Sequence, residues 1–281
     1  VSRSYAFRIL NVFAMSAPFT GNPLCVFEDA SGLDDREMQA LAKQFNLSET
    51  TFMTPSARAT SHVRIFTPGY EMPFAGHPTL GTAAVAGERH GLTNVTLEMK
   101  AGVIPVEFEG GRWSLQPNPP RYREARTLGA AAARLCTLEP GDVVDALFVD
   151  TGREQAIVQI RSAECVREAR PNIAELNDKV LADDGHVHLL LWAFRTPETI
   201  EARFFFDQDV ALLEDPATGS ACANLGGRLL RDGIPHARTF AIAQGAQTGR
   251  PSELVLTLSE RGTIHVAGRV DEIGRGTIDV P

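Results

Sequence analysis

Two stretches of this chain share one layout, and any fold it adopts has to accommodate both. The first runs Arg64-Ile65-Phe66-Thr67-Pro68, then Pro73-Phe74-Ala75-Gly76-His77-Pro78-Thr79-Leu80-Gly81, and continues into Thr82, Ala83, Ala84 and Ala86. The second runs Arg203-Phe204-Phe205-Phe206, then Asp215-Pro216-Ala217-Thr218-Gly219-Ser220-Ala221-Cys222-Ala223. Each opens as a strand, breaks at proline and glycine, and ends in small residues suited to a buried helix. Arg64 to Thr79 and Arg203 to Thr218 both span fifteen residues, which lines up Gly81-Thr82-Ala83-Ala84 with Ser220-Ala221-Cys222-Ala223. Further on, Thr96–Gly102 is echoed by Thr239–Gly245, and Gly111–Leu115 by Gly262–Val266. A strand–loop–helix unit repeated at matched spacing predicts a duplicated architecture, with the two helix starts facing one cleft.

The rest of the chain fits two domains. Its 281 residues suffice for two, and the run Gln116-Pro117-Asn118-Pro119-Pro120 is the clearest linker. We expect an N-terminal domain over 1–116, completed by a returning strand at 274–281, and a C-terminal domain over 121–273. Strands are expected at 5–14, 24–27, from Glu49, at 63–67, 96–99, 102–108 and 113–116, and then at 144–150, 155–161, 186–194 and 200–206. Asp34 and Asp35 open a helix whose apolar face is Met38, Leu41, Ala42 and Phe45, the i, i+3, i+4, i+7 spacing of an amphipathic helix. Other helices are expected through about His90, over Leu128–Leu135, near 172–181 and over Ser220–Arg231.

Composition narrows the partners. Net charge is −8, and no Lys/Arg block stands out, which argues against nucleic acid. The longest apolar run, Val187–Phe194, is far short of the roughly 20 residues a membrane helix needs. The first residues alternate like a strand without a signal-peptide core, so the expected location is cytoplasmic. Cys25, Cys136, Cys165 and Cys222 are scattered without a C-x-x-C pair, and we expect free thiols. His186 and His188 alternate on one strand face but have no third ligand nearby, so no metal is expected.

Several side chains could carry chemistry. Helix starts carrying Gly76-His77 and Gly219-Ser220 present backbone N–H groups that favour an anion, such as a carboxylate or a forming enolate. Glu49 is either a strand-edge carboxylate in water or a general base held at the cleft. His77, before Pro78, is either a hydrogen-bonded structural residue or a group that relays a proton. Asp215 reads as a capping carboxylate or as His77's partner. Ser220 lacks a Gly-x-Ser-x-Gly elbow, which argues against a hydrolase nucleophile. Gly249-Arg250-Pro251-Ser252 is a surface hairpin or an anion-binding loop.

Taken with Pro18-Phe19-Thr20-Gly21-Asn22-Pro23 and Asn46-Leu47-Ser48-Glu49-Thr50, these motifs run in order over nearly the whole chain. Together they resemble the PhzF-like family of phenazine-biosynthesis proteins. The resemblance implies an α+β, diaminopimelate epimerase-like fold: two similar domains, each a curved, mainly antiparallel sheet around a central helix. It implies an isomerase that moves a proton and shifts double bonds in trans-2,3-dihydro-3-hydroxyanthranilate without cofactor or metal, in a homodimer. Carried over by motif, Glu49 is the acid/base, its carboxyl raised toward neutrality by a closed cleft. His77, Asp215 and Ser220 form a polar shell around the substrate, and Gly76 and Gly219 supply backbone donors. The alternatives are an amino- or hydroxy-acid epimerase or racemase, and a non-catalytic binding or scaffold protein. Related racemases place one thiol at each helix start, whereas here Cys222 falls a turn too late.

Overall fold

The computed structural model describes residues 2–208 and 211–281. The chain divides into two units, Val1–Gln116 with Ala267–Pro281, and Pro117–Val266. In the first unit β1 (Arg3–Val12) lies between β2 (Asn22–Phe27) and β18 (Val270–Val280), antiparallel to both. β2 pairs in parallel with β3 (Glu49–Thr54), and β3 antiparallel with β4 (Ser61–Phe66). The end of β4 pairs with the short β5 (Glu71–Met72), and its beginning pairs in parallel with β6 (Asn94–Met99). The hairpin strands β7 (Gly102–Glu109) and β8 (Arg112–Leu115) follow. Parallel neighbours need a crossover. The helix α1 (Asp35–Phe45) supplies one between β2 and β3, and α2 (Gly76–His90) the other, between β5 and β6.

The two helices of this unit are packed differently because their sequences differ. α1 is amphipathic, closed at its start by a capping box in which Asp34 and Glu37 each accept the other's backbone N–H, at 2.8 and 2.9 Å. Met38, Leu41 and Ala42 are buried beside Phe27 and Phe52, and Phe45 packs edge-on against Phe7 and Phe27. By contrast α2 is buried on nearly every side from Gly76 to Gly87. The sheet wraps it, with contacts from β1, β2, β3, β6, β7, β8 and β18. Gly81 permits the close approach: a Cβ there would stand 2.4 Å from Leu24 Cδ2 and 2.9 Å from Val12 Cγ2.

The second unit repeats this order. β9 (Arg121–Arg123), β10 (Val143–Asp150) and β11 (Glu154–Ile160) are antiparallel neighbours, and β11 pairs in parallel with β12 (His188–Thr196). β13 (Thr199–Gln208) is antiparallel to β12. It pairs at its end with β14 (Ala211–Asp215) and at its start, in parallel, with β15 (Arg238–Gln244). β16 (Ser252–Leu258) pairs with β15, and β17 (Ile264–Gly268) follows. α3 (Leu128–Leu135) and α4 (Ala163–Glu168) cover a core that includes Phe148, Val158, Leu189, Leu191 and Phe205. α5 (Gly219–Arg231) is the buried counterpart of α2.

Two expectations are corrected. The stretch 172–181 is two single 3₁₀ turns, Ile173–Glu175 and Asp178–Val180. Asn172 and Asn177 each accept the backbone N–H two residues on, at 3.1 Å, which offers the chain a turn in place of helix. The helix of this region is instead α4, capped by Ser162 accepting from the Cys165 N–H. The fifteen-residue register is not the structural one: Arg64 to Gly76 is twelve residues and Arg203 to Gly219 sixteen. The second hairpin is longer, with β14 having five residues where β5 has two. Gly76 therefore corresponds to Gly219, and His77 to Ser220.

Candidate active site

In the first unit the parallel register sets Glu49, the first residue of β3, beside Leu24 of β2. Gly21 (φ +86°) makes the turn into β2; a Cβ there would lie 2.6 Å from the Val12 carbonyl oxygen. Asn22 is thereby fixed at the strand start, fully buried. α2 opens after Ala75, which has no side chain to cap the helix. Its second residue, His77, is buried, and its Nε2 lies 3.2 Å from Glu49 Oε2.

The state of that ring follows from its surroundings. Burial pushes the His77 pKa down to about 3, opposed by a bond to the Pro23 backbone, which as a proline offers only its carbonyl. Nε2 makes no hydrogen bond of good geometry. A neutral ring has one N–H. Nδ1 lies 3.4 Å from Asn22 Nδ2, which can only donate, and Nε2 faces the Glu49 carboxyl at 3.2 Å. The pair can hold one proton between them. Gly76, the first residue of α2, adjoins it.

In the second unit Asp215 ends β14 and Thr218 precedes α5. Thr218 Oγ1 donates to Asp215 Oδ2 at 2.5 Å. Gln244, buried at the end of β15, donates through Nε2 to the Asp215 carbonyl (2.8 Å) and to Thr218 Oγ1 (3.1 Å), and its Oε1 accepts from the Thr218 N–H (3.3 Å). Gly245 (φ +79°) packs against the same loop, with room for no Cβ: one would lie 2.4 Å from the Pro216 carbonyl oxygen. Ser220 is the second residue of α5, next to Gly219, and its Oγ accepts from Gln155 Nε2 at 2.9 Å. The two units thus share a device, an amide side chain from the β2 or β11 start meeting the second residue of the central helix.

The structure brings Glu49, Gly76 and His77 together in the first unit, and Asp215, Gly219 and Ser220 together in the second. Sequence reasoning missed Gln155, Asn224 and Gln244. Their one signal was a polar amide in an otherwise apolar strand or helix. All four cysteines are free and buried, and burial pushes the Cys222 thiol far up, so it is no ready base. His186 Nδ1 pairs with Asp207 at 3.1 Å and His188 Nε2 with Asp184 at 3.0 Å. Among the described residues no group of three His, Cys, Asp or Glu is placed to hold a metal, and no helix is long and apolar enough to cross a membrane.

Two units of equal topology, each wrapping a mainly antiparallel sheet around a buried helix, define the α+β diaminopimelate epimerase-like fold. A family model described as phenazine biosynthesis-like protein matches residues 10–276, and the chain belongs to that family. It is 36% identical over 291 aligned residues to an uncharacterised isomerase of Pasteurella multocida, with 99% of this chain and 95% of the relative covered. It is 32% identical to trans-2,3-dihydro-3-hydroxyanthranilate isomerase of Pseudomonas chlororaphis, covering 96% of this chain and 98% of that one. A phenazine biosynthesis protein of Bacillus anthracis has the same fold, with a TM-score of 0.84 at 23% identity over 98% of this chain and 99% of that one.

Proposed function

We propose that the protein is a cofactor-independent isomerase that moves a proton and double bonds in a small cyclic carboxylate of the trans-2,3-dihydro-3-hydroxyanthranilate type. The observation that carries this reading is the buried Glu49–His77 pair, carboxyl oxygen and ring nitrogen 3.2 Å apart. The relatives named as isomerases of that compound support the substrate class.

Glu49, as carboxylate, removes a proton from an sp³ ring carbon beside the conjugated system. The C–H electron pair becomes a new ring double bond, and the existing double bond shifts toward a second carbon. Glu49, now the acid, returns a proton there, so the enzyme ends as it began and no electrons are gained or lost. His77 Nε2, facing the Glu49 carboxyl at 3.2 Å, shares a hydrogen bond with it while the proton waits, which holds the carboxyl in one rotamer. The N–H groups at the uncapped start of α2 offer hydrogen bonds to negative charge developing on the substrate. Asp215, Gly219 and Ser220 are proposed as substrate-binding groups.

The test is to incubate the protein with trans-2,3-dihydro-3-hydroxyanthranilate in heavy water and follow absorbance and product mass. We expect substrate loss with one solvent deuterium incorporated, and a fall in kcat of about 10³ in Glu49→Gln. No turnover by the native chain rejects that substrate. Turnover that survives the substitution rejects Glu49 as the shuttle.

A further inference from the structure

We propose that Asn224 and Gln155 are positioning residues that fix the hydrogen-bond polarity of Ser220, so that its hydroxyl keeps its proton for a ligand, and the ligand atom it meets is an oxygen acceptor such as a carboxylate. This rests on the reading that Ser220 binds substrate.

The polarity is set by the backbone. An amide side chain can be placed either way round, and its orientation follows from its partners. The fully buried Asn224 has two partners that leave no choice. Its Oδ1 accepts from the Thr151 backbone N–H at 2.8 Å, and its Nδ2 donates to the Arg153 carbonyl at 2.9 Å. An N–H can only donate and a C=O can only accept. Thr151 Oγ1 also donates to Oδ1, at 2.7 Å.

The second Nδ2 hydrogen of Asn224 goes to Gln155 Oε1, at 2.8 Å. Gln155, 1% exposed on β11, is therefore fixed in turn, with Nε2 toward Ser220. Ser220 Oγ receives that donor at 2.9 Å. A hydroxyl that accepts there keeps its own proton for another direction, and among the described residues no acceptor takes it. A chain of four groups thus transmits the direction of one backbone N–H to a side chain at the start of α5. A ligand ammonium at this point would meet an oxygen whose acceptor capacity is partly used. A ligand oxygen meets a hydroxyl proton and, alongside it, the first N–H groups of a helix.

Two measurements test this. With Gln and Asn side chains ¹⁵N-labelled in the whole protein, the Gln155 amide protons are expected to show nuclear Overhauser contacts to the Ser220 β-protons. Contacts from those protons to the Asn224 side chain alone would mean a reversed polarity and overturn the proposal. The second is a double-substitution cycle on KM, with kcat followed alongside. An aspartate at 224 cannot donate, so in Asn224→Asp Gln155 turns its amide toward the carboxylate and Ser220 spends its proton on Gln155 Oε1. Asn224→Asp and Ser220→Ala are each expected to raise KM about tenfold, with little change in kcat, and the pair no more than either alone. Additive effects would overturn the proposal. Gln155→Glu, which also fixes an acceptor against Ser220, repeats the cycle should Asn224→Asp fail to fold. If Ser220→Ala leaves KM unchanged, it is the substrate-binding reading that fails, and the labelling result still reports the polarity.

Discussion

His77 occupies a place where charge is costly, and that cost is visible in the stability of the folded chain. An ordinary histidine protonates near pH 6.5, whereas burial holds this one down to about 3. Between those values the unfolded chain binds a proton that the folded one refuses. Stability from this group is therefore full above pH 6.5 and lost as the pH falls toward 3. Between pH 7 and pH 5 the loss is about 2 kcal/mol. In His77→Gln that part of the pH dependence is expected to vanish, which urea unfolding at both pH values would measure. If both proteins lose stability equally, the ring is not the buried neutral group described. At the same scale, Glu49→Asp keeps the charge but withdraws it by one methylene. We expect kcat to fall about 10²-fold while deuterium is still incorporated, since a displacement of about 1 Å costs that much.

At the scale of elements, an arginine, a glutamate and a phenylalanine recur. Arg64 holds Glu71 with two bonds of 2.8 and 2.7 Å, and its guanidinium lies over Phe66. Arg203 holds Glu214 with bonds of 3.0 and 2.7 Å and lies over Phe205. Each ties the hairpin that leads to a central helix. They are not energetically equal. Arg203 is buried and also donates to the carbonyls of Val166, Arg167 and Ala169 at the end of α4. Arg203→Met leaves Glu214 and those carbonyls unsatisfied and is expected to cost about 3 kcal/mol. In Arg64→Met, Lys100 still neutralises Glu71, and the cost is about 1 kcal/mol. Chemical denaturation of the two variants decides, and equal losses would refute the distinction. The strands and the long helices were legible because their apolar periods are strong, as Met38, Leu41 and Ala42 illustrate for α1. β14 and α4 were not. α4 is six residues long with only Cys165 and Val166 buried, too short to display a period.

For the whole molecule, the duplication was legible and its register was not. Matching Thr79 to Thr218 counted residues, whereas the structure matches the helix starts and lets the longer β13–β14 hairpin absorb the difference. The motif residues of each unit could be named from sequence because loops rich in glycine and proline announce themselves. The amides that hold them, Asn224, Gln155 and Gln244, could not, since their roles depend on strands far apart in the chain. Another long-range relation is the pairing of β1 with β18 along its whole length, Arg3 opposite Val280 and Val12 opposite Val270. Val280 and Ile278 pack against the core that contains Tyr5, Phe27 and Met38. A chain cut after residue 269 is expected to lose hydrogen-exchange protection in β1 and β2 while keeping it in α5 and β11; equal loss in both units would refute this. The same pairing orders events on the ribosome. The residues of the second unit are consecutive and are all synthesised before the last strand of the first is made. The portion translated first must therefore wait, its β1 edge uncovered and open to wrong partners, until β18 has emerged.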